Sequence, residues 1–234
     1  MRADVLQVLE GLKERHAKVY ENIVENNYSD VDFDPKDVDG KDILDLGAHI
    51  GTFSLFCLMH GARSVLSVEA NPNTFKELSS NTPFSEINIL NRAVTGGTAP
   101  YVMMSDRDAH SSVVKENGTL VPTATIDELV GIMPKGNDRL LKIDIEGCEY
   151  EALPFASAKT IRSFKTIFLE THKIDDTGPG KNCEFLKEHL EAMGYVENKK
   201  TQIFYWEFDA EGNATSCTPI PNTAAWRFDL EEQS

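Results

Sequence analysis

The feature that most constrains this chain is a glycine loop, Asp45-Leu46-Gly47-Ala48-His49-Ile50-Gly51-Thr52-Phe53, set between the apolar run DILDL and a stretch of helical periodicity. A strand that turns at once into a helix needs residues that enter left-handed backbone at no steric cost, and Gly47 and Gly51 are such residues. The turn also exposes bare backbone beside a helix N-terminus, where a carboxylate or phosphate is favoured. A second apolar run, SVLSVEA, reaches Glu69, 24 residues after Asp45. A carboxylate at that place accepts hydrogen bonds from both hydroxyls of a ribose.

The rest of the chain supports a doubly wound α/β reading. From Asp42 onward, short apolar runs alternate with helical patterns: Thr52 to His60 closed by Gly61, Asn71 to Asn81, a short helix from Thr125, a helix through Leu153 and Ile161, and one carrying Phe185, Leu186, Leu190 and Met193 before Gly194. Asn71-Pro72 is an N-cap and first-turn pair, and Thr125 with Glu128 has capping-box spacing. The runs INILNRAV, APYVMM, RLLKIDI and KTIFLE read as further strands. Alternation of this kind forces parallel pairing with long crossovers. After Gly194 the segments VENKK and TQIFYWEF follow without a helix, as an antiparallel hairpin at the sheet edge. The polar stretch from Ser105 to Gly118 is the longest loop, and His110, Ser111 and Ser112 within it suit a lid or an ordinary surface loop equally.

At 234 residues one core is expected rather than two. Residues 42–234 form the main domain, and 1–41 a helical extension and polar linker. In the extension Val5, Val8, Leu9, Leu12, His16, Val19, Tyr20 and Ile23 share one helical face, which suits covering a site or forming a homodimer. Against 23 basic residues stand 38 acidic ones, a net charge of -15, so the surface repels phosphate backbones and nucleic acid is not an expected partner. The four cysteines have no CxxC spacing and read as reduced thiols. No apolar run reaches the roughly 18 residues of a membrane span, and Asp4 and Glu10 interrupt any leader-like segment, so a cytoplasmic location is expected. His16, His60 and His189 sit on helical patterns and read as structural, and Phe53, Phe56 and Phe75 as core.

The loop also discriminates among nucleotide ligands. A dinucleotide site has GxGxxG, whereas His49 stands here where a second glycine would approach a pyrophosphate. An acid ahead of the first glycine favours a cationic ligand, and S-adenosylmethionine offers a sulfonium, an ammonium, a ribose and a carboxylate to match Asp45, Glu69 and the helix N-terminus. The competing readings are a nicotinamide-dependent oxidoreductase and a cofactor-binding module without catalysis. A second cluster, Lys142-Ile143-Asp144-Ile145-Glu146-Gly147-Cys148-Glu149, ends the RLLKIDI strand. A third, Glu170-Thr171-His172, ends KTIFLE. In open α/β sheets both belong to the ligand-bearing rim. Glu146 and Glu149 also read as a solvated helix start, Glu149 more so, favoured by the helix dipole.

In order, DLGAHIGTFSLF, VEANPNTF, NRAV, TIDEL, LKIDIEGCEYEAL and IFLETH resemble the FkbM family of S-adenosylmethionine-dependent methyltransferases, over about residues 42–193. The resemblance implies a class I, Rossmann-like sheet of seven strands, mostly parallel, with an antiparallel edge hairpin, and O-methylation of sugars or other small hydroxylated molecules. It implies further that Asp45, Gly47, Ala48 and His49, with Gly51, line the methionine part of the cofactor, Glu69 and Asn71 its ribose, and Arg92 and Ala93 its adenine. The chain departs from the family pattern at His49, where Asn is usual.

Transfer from a sulfonium requires an acceptor held in line and relieved of its proton. His172 is the first candidate for that base, with Asp144 and Glu170 orienting it or the acceptor. Alternatively Asp144, Glu146 and Glu170 gather a divalent metal, Mg²⁺ or Ca²⁺, that acidifies the hydroxyl. Lys142 suits pairing with one of these acids.

Overall fold

The computed structural model describes residues 2–25, 28, 33–97, 99–105, 113–114, 118–136, 138–172, 183–208 and 214–231. The extension forms α1 (Ala3–Arg15) and α2 (Ala17–Tyr20), then a π-helical turn over Glu21–Glu25. The alternating region follows as β1 (Asp42–Leu46), α3 (Thr52–Met59), β2 (Ser64–Glu69), α4 (Pro72–Asn81) and β3 (Ile87–Asn91). After these come the short strands β4 (Ala93–Val94), β5 (Tyr101–Met104), β6 (Val113–Val114) and β7 (Thr119–Ala124). The chain continues through α5 (Ile126–Ile132), β8 (Arg139–Ile143), α6 (Glu149–Phe155), α7 (Ala158–Ile161), β9 (Thr166–Thr171), α8 (Cys183–Ala192), β10 (Tyr195–Phe208) and β11 (Ala214–Leu230).

Local chemistry accounts for several boundaries. The Asn71 side chain accepts the N–H groups of Asn73 and Thr74 to cap α4, with Pro72 in the first turn. Thr125 and Glu128 cap α5 reciprocally. The single helix expected through Leu153 and Ile161 is two, because α6 carries Pro154 near its end and Ser157 caps α7 afresh.

Seven strands form one sheet in the order β10-β11-β9-β8-β1-β2-β3. The five from β9 to β3 are mutually parallel, and β11 and β10 run antiparallel at the edge. This is the strand order of a class I methyltransferase sheet. The chain winds outward from β1 through β2 to β3, then returns to β8 on the other side, so the switch point falls between β1 and β8. Asp45 pairs with Ser67 and Lys142 in register, which brings the loops after β1, β2 and β8 to one rim.

Two expectations are corrected. VENKK and TQIFYWEF do not form a hairpin with each other: both lie in β10, and the antiparallel partner is β11. Alternation gave no sign of this because the edge pair is long and interrupted by bulges. Residues between β3 and β8 also build a second sheet, β4-β7-β5-β6, that the pattern had not announced. Its strands are two to six residues long, too short for periodicity to show. Of the expected loop, His110, Ser111 and Ser112 lie outside the described residues.

Side chains alternate between two cores. Leu44, Leu46, Leu141, Ile143, Ile167 and Leu169 face one, whereas Ile43, Val65, Leu140 and Phe168 face the other, together with α3 and the extension's Val5, Leu9 and Leu12. The extension is thus packed into the same core cluster as α3. Its linker is tied to the far edge by Arg227 in β11, whose guanidinium donates twice to Asp37 at 2.8 and 2.9 Å. No disulfide joins Cys57, Cys148 or Cys183, and no helix among the described residues is long and apolar enough to cross a membrane.

The same alternation places Asp45, Ser67 and Lys142 on the α3 face. There the Ser54 hydroxyl lies 2.6 Å from Asp45 Oδ2 and 2.7 Å from Ser67 Oγ. Lys142 Nζ donates to the Gly47 carbonyl at 2.8 Å and lies 3.1 Å from Asp144 Oδ2 and 3.6 Å from Asp45 Oδ1. Removing one member of a buried ion pair strands the other charge. Lys142→Met should therefore cost about 3–5 kcal/mol in urea unfolding, and a loss under about 1 kcal/mol would show that the ammonium is dispensable to the fold.

Candidate active site

Glu69 ends β2 almost fully buried, at 8% exposure. Its Oε2 accepts the His49 N–H at 2.9 Å and its Oε1 the Asn71 N–H at 2.7 Å. Burial raises its pKa, and these two N–H groups pull against that shift. Each oxygen keeps a further acceptor position, which is what two ribose hydroxyls require. The Asn71 side chain is occupied as the cap of α4, so it is the backbone of Asn71 that shapes the corner around Glu69. Asn91, not singled out in the sequence, donates to the carbonyls of Glu69 and Ala70 and fixes the same corner. The Arg92 N–H also bonds the Glu69 carbonyl at 3.2 Å, while Ala93 is buried with Met104 and Val121.

The glycine loop is tightly set. Gly47 has φ +77°, and a Cβ there would lie 1.7 Å from the Asp144 carbonyl oxygen, so only glycine fits between the ends of β1 and β8. His49 itself is left-handed at φ +51°, a conformation Asn and His tolerate better than most residues. Burial lowers the His49 pKa, as do Lys142 and His16 nearby. Asp45 is fully buried. Burial raises its pKa against the pull of Lys142 and Ser54, and the position expected to face a cationic ligand instead holds the loop from beneath.

At the ends of β8 and β9 the acids converge on one imidazole. His172 Nδ1 lies 3.0 Å from Glu149 Oε1, and Nε2 lies 3.6 Å from Asp144, 3.8 Å from Glu146 and 3.9 Å from Glu170. Glu149 is no solvated helix start: it is fully buried, and its oxygens accept the N–H groups of Ile145 and Gly147, both at 2.8 Å. Those bonds brace a turn in which Glu146 at φ +55° and Gly147 at φ +100° are both left-handed. Alternation cannot reveal such a carboxylate, because its donors lie in a turn rather than in a strand or helix.

Burial alone would lower the His172 pKa, but Glu149, Asp144 and Glu146 outweigh it and push it up to about 10. These acids favour the imidazolium, which has no lone pair for a substrate proton and so works against the role of base expected for His172. Burial likewise works against the charges of Lys142 and Asp144. The acids around Lys142 nevertheless hold its pKa above the ordinary value, and Lys142 and His172 hold that of Asp144 below. For a metal, the structure groups Asp144, Glu170 and His172, with one ligand atom from each mutually within 4.8 Å, in place of the expected set with Glu146.

The methyltransferase FkbM domain matches residues 45–197, well over half of the chain. The chain belongs to the FkbM methyltransferase family. It is a methyltransferase that depends on S-adenosylmethionine, and the nicotinamide alternative falls. No curated protein sequence matches the chain. Among solved structures, a SAM-dependent methyltransferase from Agrobacterium tumefaciens is 14% identical with a TM-score of 0.49, covering 91% of this chain and 63% of its own. Precorrin-6y C5,15-methyltransferase from Geobacter metallireducens GS-15 is 13% identical with a TM-score of 0.48, covering 83% and 82%. The ribosomal protein L11 methylase of Lactobacillus delbrueckii subsp. bulgaricus is 9% identical with a TM-score of 0.44, covering 99% and 81%.

The charge on His172 has a measurable consequence. In EDTA, folded His172 keeps its proton to about pH 10 while an unfolded histidine loses it near 6.5. Its pairing with Glu149 is therefore fully stabilising below pH 6.5 and is lost as pH rises through 10. The stability difference between the protein and His172→Gln, measured in urea, should shrink from pH 7 to 10. A difference constant over that range would refute the imidazolium.

Proposed function

We propose that this methyltransferase acts on a hydroxyl of a sugar, a glycan or another small hydroxylated molecule. The observation that carries the reading is the rim at the ends of β8 and β9, where Asp144, Glu146, Glu170 and a charged His172 offer several acceptors and one donor within 4 Å of Nε2. Polyhydroxylated ligands are recognised by such mixed sets. The cofactor supplies a methyl group on a sulfonium that leaves as a neutral thioether.

The residues then divide the work. Glu69 fixes the ribose end. Lys142 keeps the loop after β1 against Asp144, so that the methyl donor and the rim hold one geometry. Asp144, ion-paired and of lowered pKa, orients the acceptor hydroxyl rather than deprotonating it. The His172 imidazolium donates to the acceptor oxygen or a neighbouring hydroxyl. The Glu170 carboxylate takes the proton that the acceptor hydroxyl gives up on methylation. A second reading is favoured by the close grouping of Asp144, Glu170 and His172: these three would hold a hard cation, Mg²⁺ or Ca²⁺, with His172 neutral, and the ion would supply Lewis acidity toward the hydroxyl.

Calorimetry with S-adenosylhomocysteine, followed by label transfer from S-adenosylmethionine to a panel of sugars with EDTA or Mg²⁺, tests this reading. Glu69→Ala should lose about 1–3 kcal/mol of cofactor binding, since the ribose hydroxyls lose their acceptor. Unchanged affinity would displace Glu69 from the ribose. Binding without transfer to any hydroxyl would overturn the hydroxyl acceptor, and transfer abolished by EDTA would favour the cation.

A further inference from the structure

The rim is rich in acids but poor in cations for the cofactor's α-carboxylate. Lys142 is committed to Gly47, Asp144 and Asp45, and Asp45, expected to meet the ammonium, is sealed beneath the loop. Further basic side chains stand around His49. A cleft of about 430 Å³ opens there between the extension and the start of α4, with Arg15, His16 and Lys18 on one wall, His49 behind, and Thr74 and Glu77 opposite. Four basic residues, Arg15, His16, Lys18 and His49, gather here on a chain of net charge -15.

This cleft is built onto the cofactor loop. His49 lines it while its own N–H holds Glu69, so the ribose corner and the cleft share one residue. His16 Nε2 lies 3.1 Å from Glu77 Oε2, and its ring meets that of His49 edge-on with centroids 6.5 Å apart. Arg15 donates to Asn81 Oδ1 at 3.1 Å, and the Asn81 amide donates to the Ile50 carbonyl at 2.9 Å, which ties the extension to the loop. The His16–Glu77 pair, in direct contact at 3.1 Å and with Arg15 and Lys18 in the same lining, offers a zwitterion basic groups for its carboxylate and the Glu77 carboxylate for its ammonium.

Resting on the methyltransferase reading, we infer that the N-terminal extension completes the cofactor site, and that His16 and Glu77 are positioning residues for the amino-acid end of S-adenosylmethionine. The test is calorimetric titration of the full chain with S-adenosylhomocysteine and with 5′-methylthioadenosine, which keeps the adenosine but lacks the amino-acid end. His16→Ala and Glu77→Gln should each weaken the first ligand about tenfold, or about 1.4 kcal/mol, and leave the second within about twofold. Equal weakening of both ligands would mean that the pair only supports the fold, and no change in either would remove it from the site; both results overturn the inference while the cofactor reading stands. An unsubstituted protein that binds neither ligand would overturn both.

Discussion

The structure depends on one buried ammonium. Lys142 lies on the α3 face of β8, where strand alternation would have set an apolar residue, and it is surrounded by the Gly47 carbonyl, Asp144 and Asp45. The desolvation of the Lys142 ammonium is offset by two carboxylates within about 4 Å and by the Gly47 carbonyl. The arrangement also carries information: it joins the end of β1, where the cofactor loop begins, to the end of β8, where the acceptor rim begins. Gly47 has to be a glycine for the same reason, since the two strand ends approach too closely for a Cβ.

A second charge balance governs the rim. Four carboxylates surround His172, and the imidazolium they maintain neutralises part of their mutual repulsion. Glu149 is the fixed member, anchored by two backbone N–H groups in a left-handed turn, whereas Asp144, Glu146 and Glu170 retain partial exposure toward a ligand.

Much of this was legible where the chemistry is local. The caps at Asn71 and Thr125 and the glycine loop depend on residues only a few positions apart, and Glu69 on its place at the end of the next apolar run, so spacing alone revealed them. Four positions carry the remainder. Lys142 looked like a simple partner for an acid, yet it spans two loops; Glu149 looked solvated, yet it is the most buried acid of the rim; His16 looked like part of a helix, yet it sits between α1 and α2 against His49; and VENKK belongs to one long strand whose partner, β11, comes later in the chain. In each case the deciding contact joins residues that the sequence does not place at a recognisable period.

The sequence by itself determined the alternation of strands and helices, the parallel sheet that alternation requires, the turn at Gly47 to Gly51 and the acid at Glu69, because backbone sterics and burial periodicity act over a few residues. Only the tertiary structure decided which acids would be buried and which would face a ligand, that His172 would be charged, and that the extension would close against the cofactor loop. Those outcomes depend on desolvation and on Coulomb interactions among groups brought together from distant segments, and such energies exist only once the sheet has set their distances.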